Sequence, residues 1–377
     1  HPTLQLQLRQ FALNGTLPWE LSLLSDLYFL GMDENALFGT LPTELGRLSG
    51  LYVLNVGNNS FTGTLPTELG SLTMLDELAV DRNNLIGTLP TELGRLTDIR
   101  SIFLYENDFT GTIPTELGLW TALEGFFASK NNFSGSLPME TIDQWKNIKA
   151  LAFNNNGLSG TLPTELGTWT AVELFSTVGN NLVGTIPTEF GLLSALKTFL
   201  MAMNSLTGTL PTELGALSAL MLLDLNDNAL TGILPTELGR LTTLESLDAS
   251  ANFLTGPLPT QLGQATSLIT LFLAANDLTG QLPTEIGRCR NLKWLWIGEN
   301  QLTGTLPTEL SKLSALEFFY VSENSLNGTV PTEFGQLTAL ESFGINDNLL
   351  TGILPTELGK ITNLQDFYAA NNRLSGS

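Results

Sequence analysis

One phrase, LTGTLPTELG at Leu206–Gly215, returns in near-copy along the whole chain. The proline of its G-x-L-P element recurs every 24 residues from Pro18 to Pro355, with a single 25-residue step between Pro138 and Pro163. A period of that length marks a solenoid, in which each repeat is one turn that buries its apolar face only against the turns beside it. It replaces the two or three globular domains that 377 residues would otherwise suggest. The expectation is one solenoid over 1–377, with an irregular 25-residue repeat at 138–148.

Aligned, the repeats read L-x-x-L-x-L-x-x-N-x-L-x-G-x-L-P-x-x-L-G-x-L-x-x. In Leu51–Ser71, the residues Leu51, Leu54 and Val56 alternate with variable positions, which predicts a short strand with one buried face. Asn59 then turns the chain, Phe61 and Leu65 point back inside, and Pro66–Gly70 predicts a tight turn or 3-10 segment. Proline suits the first position of such a segment, and Glu68 suits the partial positive charge of its first turn. Gly70 is expected to end it in the left-handed conformation. The asparagine recurs from Asn35 to Asn372, and a carboxamide there can serve the backbone of its own coil and of the next. Met139–Ile148 carries the extra residue, lacks the turn glycine and predicts a short helix.

This pattern resembles plant-type leucine-rich repeats, with their LxGxIP element, as found in the ectodomains of receptor-like proteins and in secreted inhibitor proteins. The resemblance covers essentially the whole chain, about 15–16 repeats. It implies an α/β solenoid: a right-handed, curved superhelix with a parallel sheet on the concave face. A second short sheet and 3-10 or turn segments are implied on the convex side. Relatives of this kind usually carry a cysteine-paired cap at each end, and no such pair occurs here, so the native polypeptide is expected to continue beyond one or both ends.

The net charge of −21 is largely scaffold. Glutamate fills one repeat position from Glu20 to Glu357, broken only by Gln261, and without that column 23 acidic residues face 16 basic ones. The sign argues against nucleic acid and against anionic membranes. No apolar run approaches the ~18 residues of a membrane span. One glutamate per turn makes a line rather than the oxygen cage calcium needs, and no Cys/His cluster suits zinc, so neither metal nor cofactor is expected. Cys289 falls where other repeats have leucine, and the one histidine is His1, so no nucleophile–base pair exists and no enzyme is expected.

Function is therefore sought where the repeats disagree. Trp120, Trp145 and Trp169 take an inward position in consecutive repeats and belong to the core. Trp294 and Trp296 instead point outward from one concave strand, the next repeat adds Phe318 and Tyr320, and the preceding one adds Phe272. Edged by Lys293, Glu299, Glu317 and Glu323, these rings form a candidate ligand-binding platform, since clustered exposed aromatics are common binding hot spots. Cross-strand packing is the alternative. A second patch comprises Arg100, Phe103, Tyr105, Phe127 and Lys130. Sequons at Asn14, Asn58, Asn132 and Asn327 are candidate N-glycosylation sites.

The reading that results is a non-enzymatic module at the cell surface or outside the cell, binding a protein, peptide or glycan on its concave face. A structural or adhesive, self-assembling acidic solenoid is the alternative. Ice binding through threonine ladders is the third, limited by interruptions such as Ile86, Ile233 and Gln281.

Overall fold

The computed structural model describes residues 4–138 and 142–376. The chain forms two compact units, His1–Val183 and Gly184–Ser377. Both are built from the same turn: a first-sheet strand, a second-sheet strand and a five-residue 3-10 segment, as in Ser246–Asp248, Phe253–Pro257 and Thr260–Gln264.

In the first unit the first sheet opens with Leu4–Gln7, Leu27–Gly31 and Val53–Asn55, and each later strand adds in parallel beside its predecessor up to Leu174–Ser176. In the second unit the same arrangement runs from Thr198–Leu200 to Asp366–Tyr368. Parallel pairing follows because each strand is reached only after a full turn of the coil. Register keeps like with like: Leu223, Leu247, Leu271, Leu295 and Phe319 stand side by side, and all are buried. The residues on either side of each face outward, where the scaffold makes no demand on them.

The 3-10 segments follow the prolines, and Glu68 sits in a first turn, its carboxylate accepting the Thr67 hydroxyl at 3.2 Å. The asparagines form a ladder, buried or half-buried along its length. Asn83 donates through Nδ2 to the carbonyls of Val56, Val80 and Asp81, each at 3.1 Å, and its Oδ1 accepts the Phe61 N–H at 2.9 Å. One side chain thus ties its own turn to the one before it.

Gly70 departs from expectation. It is not among the left-handed glycines, and the segment closes on Leu72 at φ −82°, ψ 59°. The residue is glycine because the next coil lies against it: an added Cβ would stand 2.3 Å from the Glu92 carbonyl oxygen. The left-handed glycines belong instead to the L-x-G element, as at Gly63 with φ 78°. This assigns different costs to one column. Gly263→Ala, whose Cβ would meet the Glu285 oxygen at 2.2 Å, should lower unfolding free energy by about 1–3 kcal/mol in a urea titration. Gly359→Ala, with nothing within 4 Å, should cost nothing measurable.

The first three residues of the helix expected over 139–148 lie outside the described residues. From Ile142 onward, its N–H bonds the Pro138 carbonyl at 3.1 Å, and Trp145 N–H bonds that of Ile142 at 3.1 Å. Trp120, Trp145 and Trp169 are buried, and each indole N–H donates to a carbonyl one turn back: Leu93, Leu117 and Ile142 at 2.8, 3.0 and 3.0 Å. Cys289 is buried, and burial pushes its thiol up to about 11, which makes it a packing residue. In the second sheet the hydroxyls of Thr62, Thr231, Thr303 and Thr351 donate at 3.2–3.3 Å to glycine carbonyls of the preceding turn.

Candidate ligand-binding site

Three consecutive strands of the second unit, Thr270–Phe272, Trp294–Trp296 and Phe318–Tyr320, carry the aromatic cluster. Register sets Phe272 beside Trp296 and Trp296 beside Tyr320 in one outward file, and Trp294 beside Phe318 in the other. Between the files Leu295 is buried, while Trp294 and Trp296 are 43% and 46% exposed. The rings pack on one another: Phe272 stacks on Trp294 (6.1 Å, 12°) and meets Trp296 edge-on (5.9 Å, 82°). Trp294 meets Phe318 edge-on at 5.7 Å, and Trp296 lies 5.8 Å from Tyr320.

These contacts are the cross-strand packing that a purely structural role would need. They leave, however, an open depression of about 360 Å³ lined by the five rings and Leu295. Two residues not singled out from the sequence shape its rim. Ser342 hydrogen-bonds the Tyr320 hydroxyl at 2.6 Å, and Gly344 leaves room for the ring, since a Cβ there would lie 2.5 Å from Tyr320 Cδ1. Their places in the strand register, Ser342 beside Phe318 and Gly344 beside Tyr320, were the available signal.

The expected polar edge is only partly assembled. Lys293 pairs with Glu317 at 2.7 Å, and that hydrogen bond, with a lesser contribution from Trp294, holds the Glu317 carboxyl below the usual range. Glu299 and Glu323 are exposed on the following loops, both in the left-handed conformation, and do not line the depression.

The file holding Trp296 turns acidic beyond Phe272, with Asp248 and then Asp224 on successive strands. Burial, and then the neighbouring Asp248, push the Asp224 carboxyl up, against the pull of hydrogen bonds from Asn226. The sign is fixed: a carboxyl raised above its ordinary 3.8 binds its proton more tightly folded than unfolded. Its ionised form therefore costs stability at neutral pH, and this cost disappears below the unfolded value. Asp224→Asn should melt higher than wild type at neutral pH and coincide with it at about pH 3, by thermal scans at both.

In the first unit the second patch is rearranged by ion pairs. Arg100 pairs with Asp76 at 3.5 Å, and Lys130 with Glu106 at 2.9 Å, so both cations are engaged. Phe103 stacks on Phe127 at 5.0 Å and 2°, and Arg82 lies over the Tyr105 ring at 5.3 Å. A depression of about 330 Å³ does form here, but Arg100, Phe127 and Lys130 do not line it; Phe103 and Tyr105 do, with Asp33, Glu77, Asp81 and Arg82. Burial raises the carboxyls of Glu77 and Asp81, and burial together with the Asp81 hydrogen bond pushes Tyr105 up to about 12.

Asn14, Asn58, Asn132 and Asn327 are all exposed. Among the described residues no group of three or more His, Cys, Asp or Glu is placed to hold a metal ion, and no helix is long and apolar enough to cross a membrane.

The family model for the Leucine Rich Repeat matches residues 50–72, 219–241 and 291–313. No curated protein matches the chain. Among solved structures, the plant peptide hormone receptor RGFR1, in complex with RGF2, is 32% identical with a TM-score of 0.92 over 99% of this chain and 64% of that one. A TDR receptor is 29% identical with a TM-score of 0.95 over the same shares, 99% and 64%. The chain thus spans less than two thirds of the length of either receptor chain. An LRR protein of Leptospira interrogans is 34% identical with a TM-score of 0.76, over 98% of this chain and 90% of that one. Repeat, asparagine ladder, parallel sheets and likeness agree: the chain belongs to the leucine-rich-repeat family, with repeats of the plant type.

Proposed function

We propose that this chain is a non-enzymatic extracellular recognition module that engages its ligand on the outward face of the first sheet. The observation that carries the reading is the aromatic depression formed by Phe272, Trp294, Trp296, Phe318 and Tyr320. Nearly half-exposed tryptophans leave apolar surface in water that a bound ligand would cover, and tryptophan and tyrosine are the side chains most often found at binding hot spots. The likeness to RGFR1, solved with RGF2, supports a ligand of peptide character.

Arrays of synthetic peptides and of glycans, probed in parallel with wild type and Trp296→Ala, test the proposal. The expected result is a set of features bound by wild type and lost with the variant. Equal binding by both proteins would overturn it.

A further inference from the structure

The surroundings of the depression specify its ligand more closely. Its lining offers apolar ring faces and almost no free hydrogen-bonding group, because the Tyr320 hydroxyl is held by Ser342 at 2.6 Å. An aromatic or bulky aliphatic side chain would cover these faces without burying an unpaired polar group.

The outward file that runs through Tyr320, Trp296 and Phe272 continues without a break into Asp248 and Asp224. Asp224 Oδ1 accepts from the Asn226 backbone at 3.1 Å and side chain at 2.7 Å, and Asp248 Oδ1 accepts the Ser250 N–H at 2.9 Å. Among the described residues neither carboxylate has a cationic partner. The nearest lysine of the aromatic strands, Lys293, is neutralised by Glu317. Along this file the charge that borders the depression is thus negative, at Asp248 and Asp224.

We infer that the depression and the Asp224–Asp248 pair form one composite site for a linear peptide carrying an aromatic or bulky aliphatic anchor and a basic residue. This rests on the reading of the depression as the ligand site. Strands stand about 4.8 Å apart, so Asp248 is about 10 Å from the Trp296 position. An extended peptide crossing the strands at about 3.3 Å per residue covers that in about three residues. The basic residue therefore falls two to four positions from the anchor. Arginine is favoured over lysine, because its planar fork can donate to two adjacent carboxylates.

Panning a library of random linear peptides displayed on phage against wild type, Asp224→Asn with Asp248→Asn, and Trp294→Ala with Trp296→Ala tests this. Wild type should enrich an anchor with arginine or lysine at that spacing. The aspartate variant should enrich anchors without the basic residue and bind the wild-type-selected peptide about tenfold more weakly by fluorescence anisotropy. Asn at both positions preserves the Asn226 and Ser250 acceptor contacts, and cooperative melting no lower than that of wild type confirms the fold. Anchors enriched by wild type without a basic residue would overturn the composite site and leave the depression as a ligand site. Enrichment that does not depend on Trp294 and Trp296, or none, would overturn both.

Discussion

Asn252→Ala should cost about 3–5 kcal/mol of unfolding free energy, far more than a typical surface change. The carboxamide donates to the carbonyls of Leu225, Ala249 and Ser250 at 3.0, 3.3 and 3.0 Å and accepts the Leu230 N–H at 2.9 Å. It is buried, so water cannot replace what alanine removes. Each buried backbone group left without a partner costs about 1–3 kcal/mol. Asn252→Asp provides the graded comparison: it keeps the acceptor for Leu230 and loses the donors. Urea denaturation should place both variants well below wild type. A loss under 1 kcal/mol in both would contradict the ladder's role.

This dependence explains why so much of the fold was legible. A solenoid repeats its constraints, so the residue that satisfies one turn recurs at the same place in each, as Asn83 and Asn252 do with equivalent bonds. What the sequence could not distinguish was the reason for a glycine. Gly63 and Gly70 lie in one repeat, yet the first answers to a left-handed backbone and the second to the Glu92 carbonyl pressed against it. Close approach by the neighbouring coil leaves no local trace that differs from a turn.

The placement of the aromatic side chains was legible for the same reason. Period-two alternation sends Trp294 and Trp296 outward, and the strand register brings Phe272, Phe318 and Tyr320 to them. Charged side chains are long and choose partners that alternation does not specify. Lys293 therefore turns to Glu317, and Arg100 and Lys130 are taken by Asp76 and Glu106. The acidic groove of Asp33, Glu77 and Asp81 was missed because Asp33 and Asp81 share one repeat position two turns apart while Glu77 holds another, and they meet only after folding.

The second large effect concerns binding rather than stability. Trp294 and Trp296 face outward, so their loss removes cross-strand contacts worth only about 0.2–1 kcal/mol each. Buried beneath a ligand, the same side chains would each contribute about 2 kcal/mol or more, as hot-spot tryptophans do. The two roles thus predict opposite patterns for one variant.

The deciding measurement is the dissociation constant of an array- or phage-selected peptide for wild type and for Trp294→Ala with Trp296→Ala, beside the melting temperature of each. The account predicts affinity weaker by at least about a hundredfold, with melting lowered by only a few degrees. Unchanged affinity, or a collapse in melting temperature that accounts for the lost binding, would contradict it and return these rings to the packing of the sheet.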